Sequence, residues 1–435
     1  MGRRFAAARS IALDISPLRD SVPYRALYFG QLVSLFGSNM RLVAVAWQVF
    51  QLTESTVAVG LIGLVEVVPL IAFSIWGGAV ADRTDRRALL VKMQLGLMAS
   101  SVALVVVSLQ QDPSVLWIYA LVAVSSALKA IDGPTRSAMI PSLVAEGKLA
   151  AAMALRQVLF QVTQIAGPAV GGLLIAGFGN GDGSGVIWVY AFDALTFTAA
   201  LIALRWVPPS PPLRNEGEMP APTLEAIREG LSFALRNPVV LSIFVIDLVA
   251  MIFGSPRSVF PALAQETFGM GAGGVGLLYS APAAGALVGA LTTGWVTRIE
   301  RQGLAVIIAV FGWGVAIAAA GATVFSVGLT VVFLALAGWA DVVSAIFRGT
   351  MLQEVTPDAL RGRISAVNIM VVTGGPRIGD FEAGLLAAAT GAPASILLGG
   401  LACVVGTAVV AVRFPSLSAY RARAIVDGTS DAPRE

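Results

Sequence analysis

The sequence predicts an all-α membrane protein of twelve transmembrane helices, arranged as two six-helix, pseudo-symmetric bundles. Three observations carry that expectation. Of 435 residues, 57% are hydrophobic and 13% charged, with a mean hydropathy of +0.81, whereas charged residues make up about 25% of an ordinary soluble domain. Apolar stretches of about 20 residues, enough to cross the hydrocarbon, recur throughout the chain. Lysine and arginine occupy every second connection between those stretches and are absent from the others.

Taken in order, the spans of the first half fall near 24–50, 55–81, 88–110, 114–140, 149–177 and 186–207. Those of the second half fall near 238–264, 273–297, 303–323, 327–348, 363–388 and 393–413. The expected units are an N-terminal segment 1–23, a bundle 24–207, a linker 208–237, a bundle 238–413 and a tail 414–435. The N-terminal segment reads as a basic cytoplasmic stretch, since its arginines are not followed by a short apolar core and a small-residue cleavage site. In the linker, Pro208, Pro209, Pro211, Pro212, Pro220 and Pro222 mix with charges, which reads as extended and solvated. Thr223 then caps a stretch in which Leu224, Ile227, Leu231 and Leu235 recur at helical spacing, which predicts a short surface helix.

The basic connections carry Arg83, Arg86 and Arg87; Arg136 and Lys148; Arg214, Arg228 and Arg236; Arg298 and Arg301; and Arg361 and Arg363. By the positive-inside rule these lie in the cytoplasm together with both termini. The expected location is a bacterial cytoplasmic (inner) membrane, with the lipid bilayer as partner. A weak internal repeat agrees with two halves. Val59-Gly60-Leu61-Ile62 matches Val275-Gly276-Leu277-Leu278, and Arg136-Ser137-Ala138-Met139 matches Arg348-Gly349-Thr350-Met351.

Several function classes are excluded or made improbable by composition. The chain has one cysteine, Cys403, and no histidine, so a cysteine or histidine metal site is not expected and a nucleophile–histidine pair cannot be built. No Gly-x-x-x-x-Gly-Lys-Ser/Thr loop occurs, so a nucleotide-driven pump is not expected. The reading is therefore no enzyme, no cofactor and no metal. The net charge of +3 is modest, and no nucleic-acid partner is expected.

Short motifs sharpen the reading. After span two comes Gly77-Gly78-Ala79-Val80-Ala81-Asp82-Arg83-Thr84-Asp85-Arg86-Arg87, which resembles the loop signature of the major facilitator superfamily. The resemblance implies a cytoplasmic gating role for Gly78, Asp82, Arg83, Arg86 and Arg87; an ordinary basic loop is the plainer alternative. Asp85 stands where the family often has glycine. Span five contains Gly167-Pro168-Ala169-Val170-Gly171-Gly172, similar to the Gly-Pro-x-x-Gly-Gly element of the superfamily's antiporters. There Gly167, Pro168, Gly171 and Gly172 serve either coupling or a tight helix crossing. Asp132-Gly133-Pro134-Thr135-Arg136, Gly276-Leu277-Leu278-Tyr279 and Thr350-Met351-Leu352-Gln353 with Gly362-Arg363-Ile364 further resemble the enterobactin exporter family. This implies export of a small molecule, a siderophore or drug-like compound, driven by an ion gradient and by alternating access. Uptake by the same fold and substrate sensing without transport are the rival readings.

Ionisable groups inside a membrane need a reason. Helix rise places Glu66, Asp247, Asp341 and Arg377 near mid-depth, Arg41, Arg257 and Asp193 toward one face, and Lys129, Asp132 and Arg156 toward the other. Without histidine, protons as coupling partner must ride on carboxylates. Asp247 leads, with Glu66 and Asp341 behind it; permanent pairing with a buried arginine is the competing role for each. Gln31, Asn39, Trp47 and Arg377 are candidates for the cargo pocket; helix packing is the alternative for the first three, and pairing with Asp247, Asp380 or Glu382 is the alternative for Arg377. Arg257 is expected to pair with one of Asp247, Asp380 and Glu382. Lys129, Asp132 and Arg136 share one helical face and are expected to form a local salt-bridge cluster with Arg156 or the next loop rather than a cargo site. A monomer is expected to suffice.

Overall fold

The computed structural model describes residues 14–179, 184–211 and 223–421, without the side chains of 75–79, 81–82, 223–227 and 297. The first six spans are α1 (Val22–Thr53), α2 (Thr56–Arg83), α3 (Arg86–Ser108), α4 (Val115–Leu143), α5 (Leu149–Phe178) and α6 (Val186–Ala203). The second six are α7 (Pro238–Phe253), α8 (Gly271–Thr292), α9 (Gln302–Ala322), α10 (Val327–Val355), α11 (Arg361–Thr390) and α12 (Ala392–Arg413). A linker helix, Thr223–Arg236, precedes α7.

Helix starts carry the expected chemistry. The side chains of Ser21, Ser55, Asp85 and Asn237 accept backbone N–H groups in the first turns of α1, α2, α3 and α7, which satisfies donors the helix itself leaves open. Asp85 accepts the Ala88 N–H at 2.7 Å, so the residue that departs from the family motif works here as a helix cap. Pro69, Pro134, Pro141, Pro168, Pro282 and Pro376 lie inside α2, α4, α5, α8 and α11. Each removes one ladder hydrogen bond, which lets a helix bend.

Among the described residues, eleven helices are long and apolar enough to cross a membrane. The twelfth, α11, falls short because it carries Arg361, Arg363, Arg377, Asp380 and Glu382. It is packed on α2, α7 and α12 and on the linker helix, and Pro376, Arg377 and Asp380 face an internal cavity, so these two charges are turned inward.

Two differences from the sequence expectation have physical causes. Span seven was expected to run unbroken over 238–264, yet α7 ends at Phe253 and resumes as the short turns Arg257–Val259, Phe260–Ala262 and Leu263–Thr267. Pro256 disfavours helix at Ser255, and the break turns Arg257 toward the cavity. The linker helix is present, but Gly230 and Ala234 make its contact: a Cβ on Gly230 would stand 2.8 Å from the Arg363 carbonyl oxygen, and Ala234 is buried. Leu231 and Leu235 are exposed, as suits a helix lying against a membrane surface. Its Thr223, Leu224 and Ile227 side chains lie outside the described residues.

Helices α1–α6 pack among themselves, as do α7–α12, and the bundles meet mainly through α2 against α11 and α5 against α8. The end where α1, α3, α5, α7, α9 and α11 begin is here called the linker side, and the opposite end the far side. On the linker side Arg86 donates to the Ala138 carbonyl at 3.1 Å and Arg87 to the Leu204 carbonyl at 2.9 Å. These arginines therefore tie α3 to the ends of α4 and α6 within one bundle. Arg83 is exposed; Asp82 and Gly78 belong to α2, and their side chains lie outside the described residues.

Candidate transport cavity

The two bundle contacts are built on glycines from the internal repeat. In α2, a Cβ on Gly60 would lie 2.7 Å from the Asp380 carbonyl oxygen of α11, and one on Gly63 2.5 Å from that of Arg377. In α8, a Cβ on Gly276 would lie 2.5 Å from the Pro168 carbonyl oxygen of α5. Gly60 and Gly276 are the repeated residues, so the repeat encodes two pseudo-equivalent seams where backbones touch. Close backbone approach of this kind is the use membrane helices make of small residues.

The Gly-Pro-x-x-Gly-Gly element serves both surfaces of α5. Cβ atoms on Gly167 and Gly171 would meet Asn39 and Met40 of α1, at 2.5 and 3.0 Å. One on Gly172 would meet the Ala272 carbonyl oxygen across the bundle boundary at 2.6 Å. Hydrogen bonds reinforce the seams: Thr56 donates to the Gly384 carbonyl at 2.8 Å, Ser280 to the Ile165 carbonyl at 2.8 Å, and Gln51 to Gln265. These contacts, and the Glu66–Arg377 pair, lie between the far end and mid-depth. The bundles are joined there and part toward the linker side.

Between them lies a cavity of about 390 Å³, lined mainly by α1, α2 and α4 and, from the other bundle, by Arg257, Ser258, Tyr279, Pro376, Arg377 and Asp380. Its walls carry five cations, Arg41, Lys129, Arg136, Arg257 and Arg377, and three carboxylates, Glu66, Asp132 and Asp380. Most are answered locally. Arg41 lies 3.4 Å from the buried Asp193, and Ser101 bridges them, accepting from Arg41 at 2.9 Å and donating to Asp193 at 2.6 Å. Asp132 accepts from Arg136 at 2.7 Å and from Gln94 at 2.8 Å. Glu66 meets Arg377 at 3.3 Å across the boundary between bundles, and Arg377 also donates to the Thr373 carbonyl at 2.6 Å.

The candidates from sequence divide accordingly. Gln31, Asn39, Glu66 and Arg377 line the cavity. Trp47 is buried against the core and borders a separate far-side crevice with Gln51 and Gln265. Asp247 and Asp341 lie outside the cavity lining, within the second bundle. Asp247 meets Arg348 at 2.7 Å, and Asp341 stands 3.8 Å from the same guanidinium. Of the three carboxylates expected to partner Arg257, Asp247 is taken by Arg348 of α10, and the break after α7 carries Arg257 to the cavity, whose lining also includes Asp380. The expected cluster of Lys129, Asp132, Arg136 and Arg156 is only partly formed. Asp132 and Arg136 pair, Arg156 sits over the Phe160 ring at 5.3 Å, and Lys129 faces the cavity.

Sequence reasoning missed Arg348 as a charge partner, although its repeat relation to Arg136 was a usable signal. It also missed the Ser101 bridge, which no linear pattern marks.

Two six-helix bundles around a charged chamber, closed at one end by glycine seams, have the architecture of a multi-pass membrane transporter, and the relatives of this chain are transporters rather than enzymes. The chain belongs to the transmembrane secretion effector family of the major facilitator superfamily, whose model matches residues 12–427. It is 30% identical over 359 residues to enterobactin exporters of Shigella boydii serotype 18 and of Escherichia coli O157:H7, covering 82% of this chain and 84% of each relative. Its fold is similar to that of the solved nucleoside transporter NupG, with TM-score 0.69 at 13% identity over 92% of this chain and 99% of that one. A bacterial homolog of the human lysosomal transporter Spinster is similar at TM-score 0.70 and 15% identity, over 91% and 95% of the two chains.

Proposed function

We propose that this protein exports a small molecule from the bacterial cytoplasm by alternating access and proton antiport, with a siderophore as the leading cargo class. The observation that carries the reading is the charged cavity, closed on the far side by two seams and reaching toward the linker side. The linker side bears the arginine-rich connections, so the positive-inside rule makes it cytoplasmic, with both termini, in an inner membrane. A reporter inserted at Gly391, in the far-side turn between α11 and α12, should then read out from the periplasm. The cargo class rests on the enterobactin exporters that share 30% of their aligned residues with this chain. One chain builds the whole cavity, which supports function as a monomer.

Glu66, Asp247 and Asp341 are the proposed proton carriers. Glu66 is the one whose pair with Arg377 spans the bundles. Protonating it removes that attraction and frees Arg377 to meet cargo, so that proton and cargo favour different states. Asp247 and Asp341 share Arg348, so a proton on either changes the charge balance of one buried trio. In the outward-facing state, the Asp82–Arg87 loop is the proposed linker-side latch.

The test is flux in proteoliposomes under an imposed pH gradient, for a catecholate siderophore and a cationic dye, with wild type, Glu66→Gln and Asp247→Asn. Gradient-driven siderophore flux that is lost in Glu66→Gln or Asp247→Asn is the expected result. Wild-type flux indifferent to the gradient would refute antiport, and specific binding without flux would favour a sensor.

A further inference from the structure

We propose that Lys129 is a standing cargo-binding cation of the cavity, an anion-recognition point for a carboxylate, phenolate or sulfonate on the transported molecule. Three of the five cavity cations have a carboxylate partner: Arg41 has Asp193, Arg136 has Asp132 and Arg377 has Glu66. Two remain, Arg257, which shares its wall with Asp380, and Lys129. Lys129 is the one that the first bundle contributes. Among the described residues it has no ion pair, although Arg41, Glu66, Asp193 and Arg377 all lie in its electrostatic surroundings.

The reason Lys129 stays unmatched is local. Asp132, three residues on and on the same helical face, has one oxygen taken by Gln94 and the other by Arg136. Lys129 is also the middle residue of the 29-residue α4, which corrects the sequence expectation of a place toward one membrane face and puts it nearer mid-depth. A charge held there without a partner is costly, and such residues mark substrate or ion pathways. Its side chain is exposed to the cavity, with Gln31, Asn39 and Tyr279 on the surrounding walls. A flexible stem with three rotatable donors can follow an anionic group as the bundles rock, which a planar guanidinium fixed in a pair cannot.

This inference deepens the export reading, but its test does not depend on flux. The chain has three lysines, Lys92, Lys129 and Lys148, and Lys148 is paired with Asp20. The full chain in nanodiscs is labelled with trinitrobenzenesulfonate and each lysine is quantified by peptide mass spectrometry. The competitors are 2,3-dihydroxybenzoate, an anion, and catechol, its neutral counterpart. Lys129 should be protected by 2,3-dihydroxybenzoate at a concentration at least about tenfold lower than catechol requires, as a charge-assisted contact predicts, while Lys92 and Lys148 show no such difference.

Binding of radiolabelled 2,3-dihydroxybenzoate should fall about tenfold or more in Lys129→Gln and stay near wild type in Lys129→Arg. Lys129→Gln should melt no lower than wild type, because it removes an unmatched charge; a lower melting temperature would reveal a structural partner and overturn the assignment. Equal protection by both competitors, no binding to wild type, or full binding in Lys129→Gln would also overturn it. Lys129-dependent binding without flux would sink the export reading alone, whereas flux and binding independent of Lys129 would sink this one alone.

Discussion

If the far-side seams define the state seen here, a single methyl group at Gly276 should shift the protein out of it. The Cβ of Gly276→Ala would stand 2.5 Å from the Pro168 carbonyl oxygen and 3.1 Å from the Gly172 Cα, both backbone atoms of the opposite bundle. Overpacking of this kind costs about 1–3 kcal/mol, and it is felt only while the seam is shut. Alanine also favours helix over glycine by about 1 kcal/mol, but that gain is common to both states and drops out of their ratio. The seam-shut population should therefore fall relative to the open one by about 5-fold to 150-fold. Gly273→Ala, one turn earlier on α8, is the control, since its Cβ would meet nothing nearer than the Ala176 Cβ at 4.0 Å.

The assay is disulfide formation across the far side between Gln51→Cys and Gln265→Cys, residues hydrogen-bonded across the bundles. The single native thiol, buried Cys403, is first replaced by serine. Crosslinking should drop in Gly276→Ala and hold in Gly273→Ala. Equal crosslinking in the two variants would refute the claim that backbone contact at Gly276 governs closure.

Two further outcomes follow from particular contacts. Asp85→Ala should lower the stability of the detergent-solubilised protein by about 1 kcal/mol through loss of the α3 cap, whereas Asp85→Gly should cost only a few tenths; thermal melts of the two variants check the difference. Asp247→Asn should cost about 3–5 kcal/mol by leaving Arg348 without its nearest carboxylate, and adding Arg348→Gln should recover part of that loss. A double variant no more stable than Asp247→Asn would show that the pair is not the source of the effect.

Much of the architecture was legible in one dimension, because a bilayer imposes length and polarity on every span. Twelve helices, the proline-rich division at mid-chain and the alternation of basic connections are each direct consequences of that solvent. The repeat of Gly60 and Gly276 was visible too, but not its meaning, since only the fold shows that both glycines receive a backbone from the other bundle. The break after α7 was legible in principle from Pro256 and was masked by the hydrophobicity around it.

Charge pairing was not legible, for a physical reason. A salt bridge inside a bundle joins residues from helices far apart in sequence, and its partner is chosen by helix rotation and depth. Asp247 meets Arg348 across 101 positions of the chain (348 − 247), and Arg41 meets Asp193 through a serine on a third helix. The sequence by itself determined that this chain spans a membrane in two related halves and carries charge within them. Tertiary structure alone decided which of those charges cancel and which, like Lys129, face the cavity, because Coulomb energy in a low-dielectric interior depends on distances that no linear spacing sets.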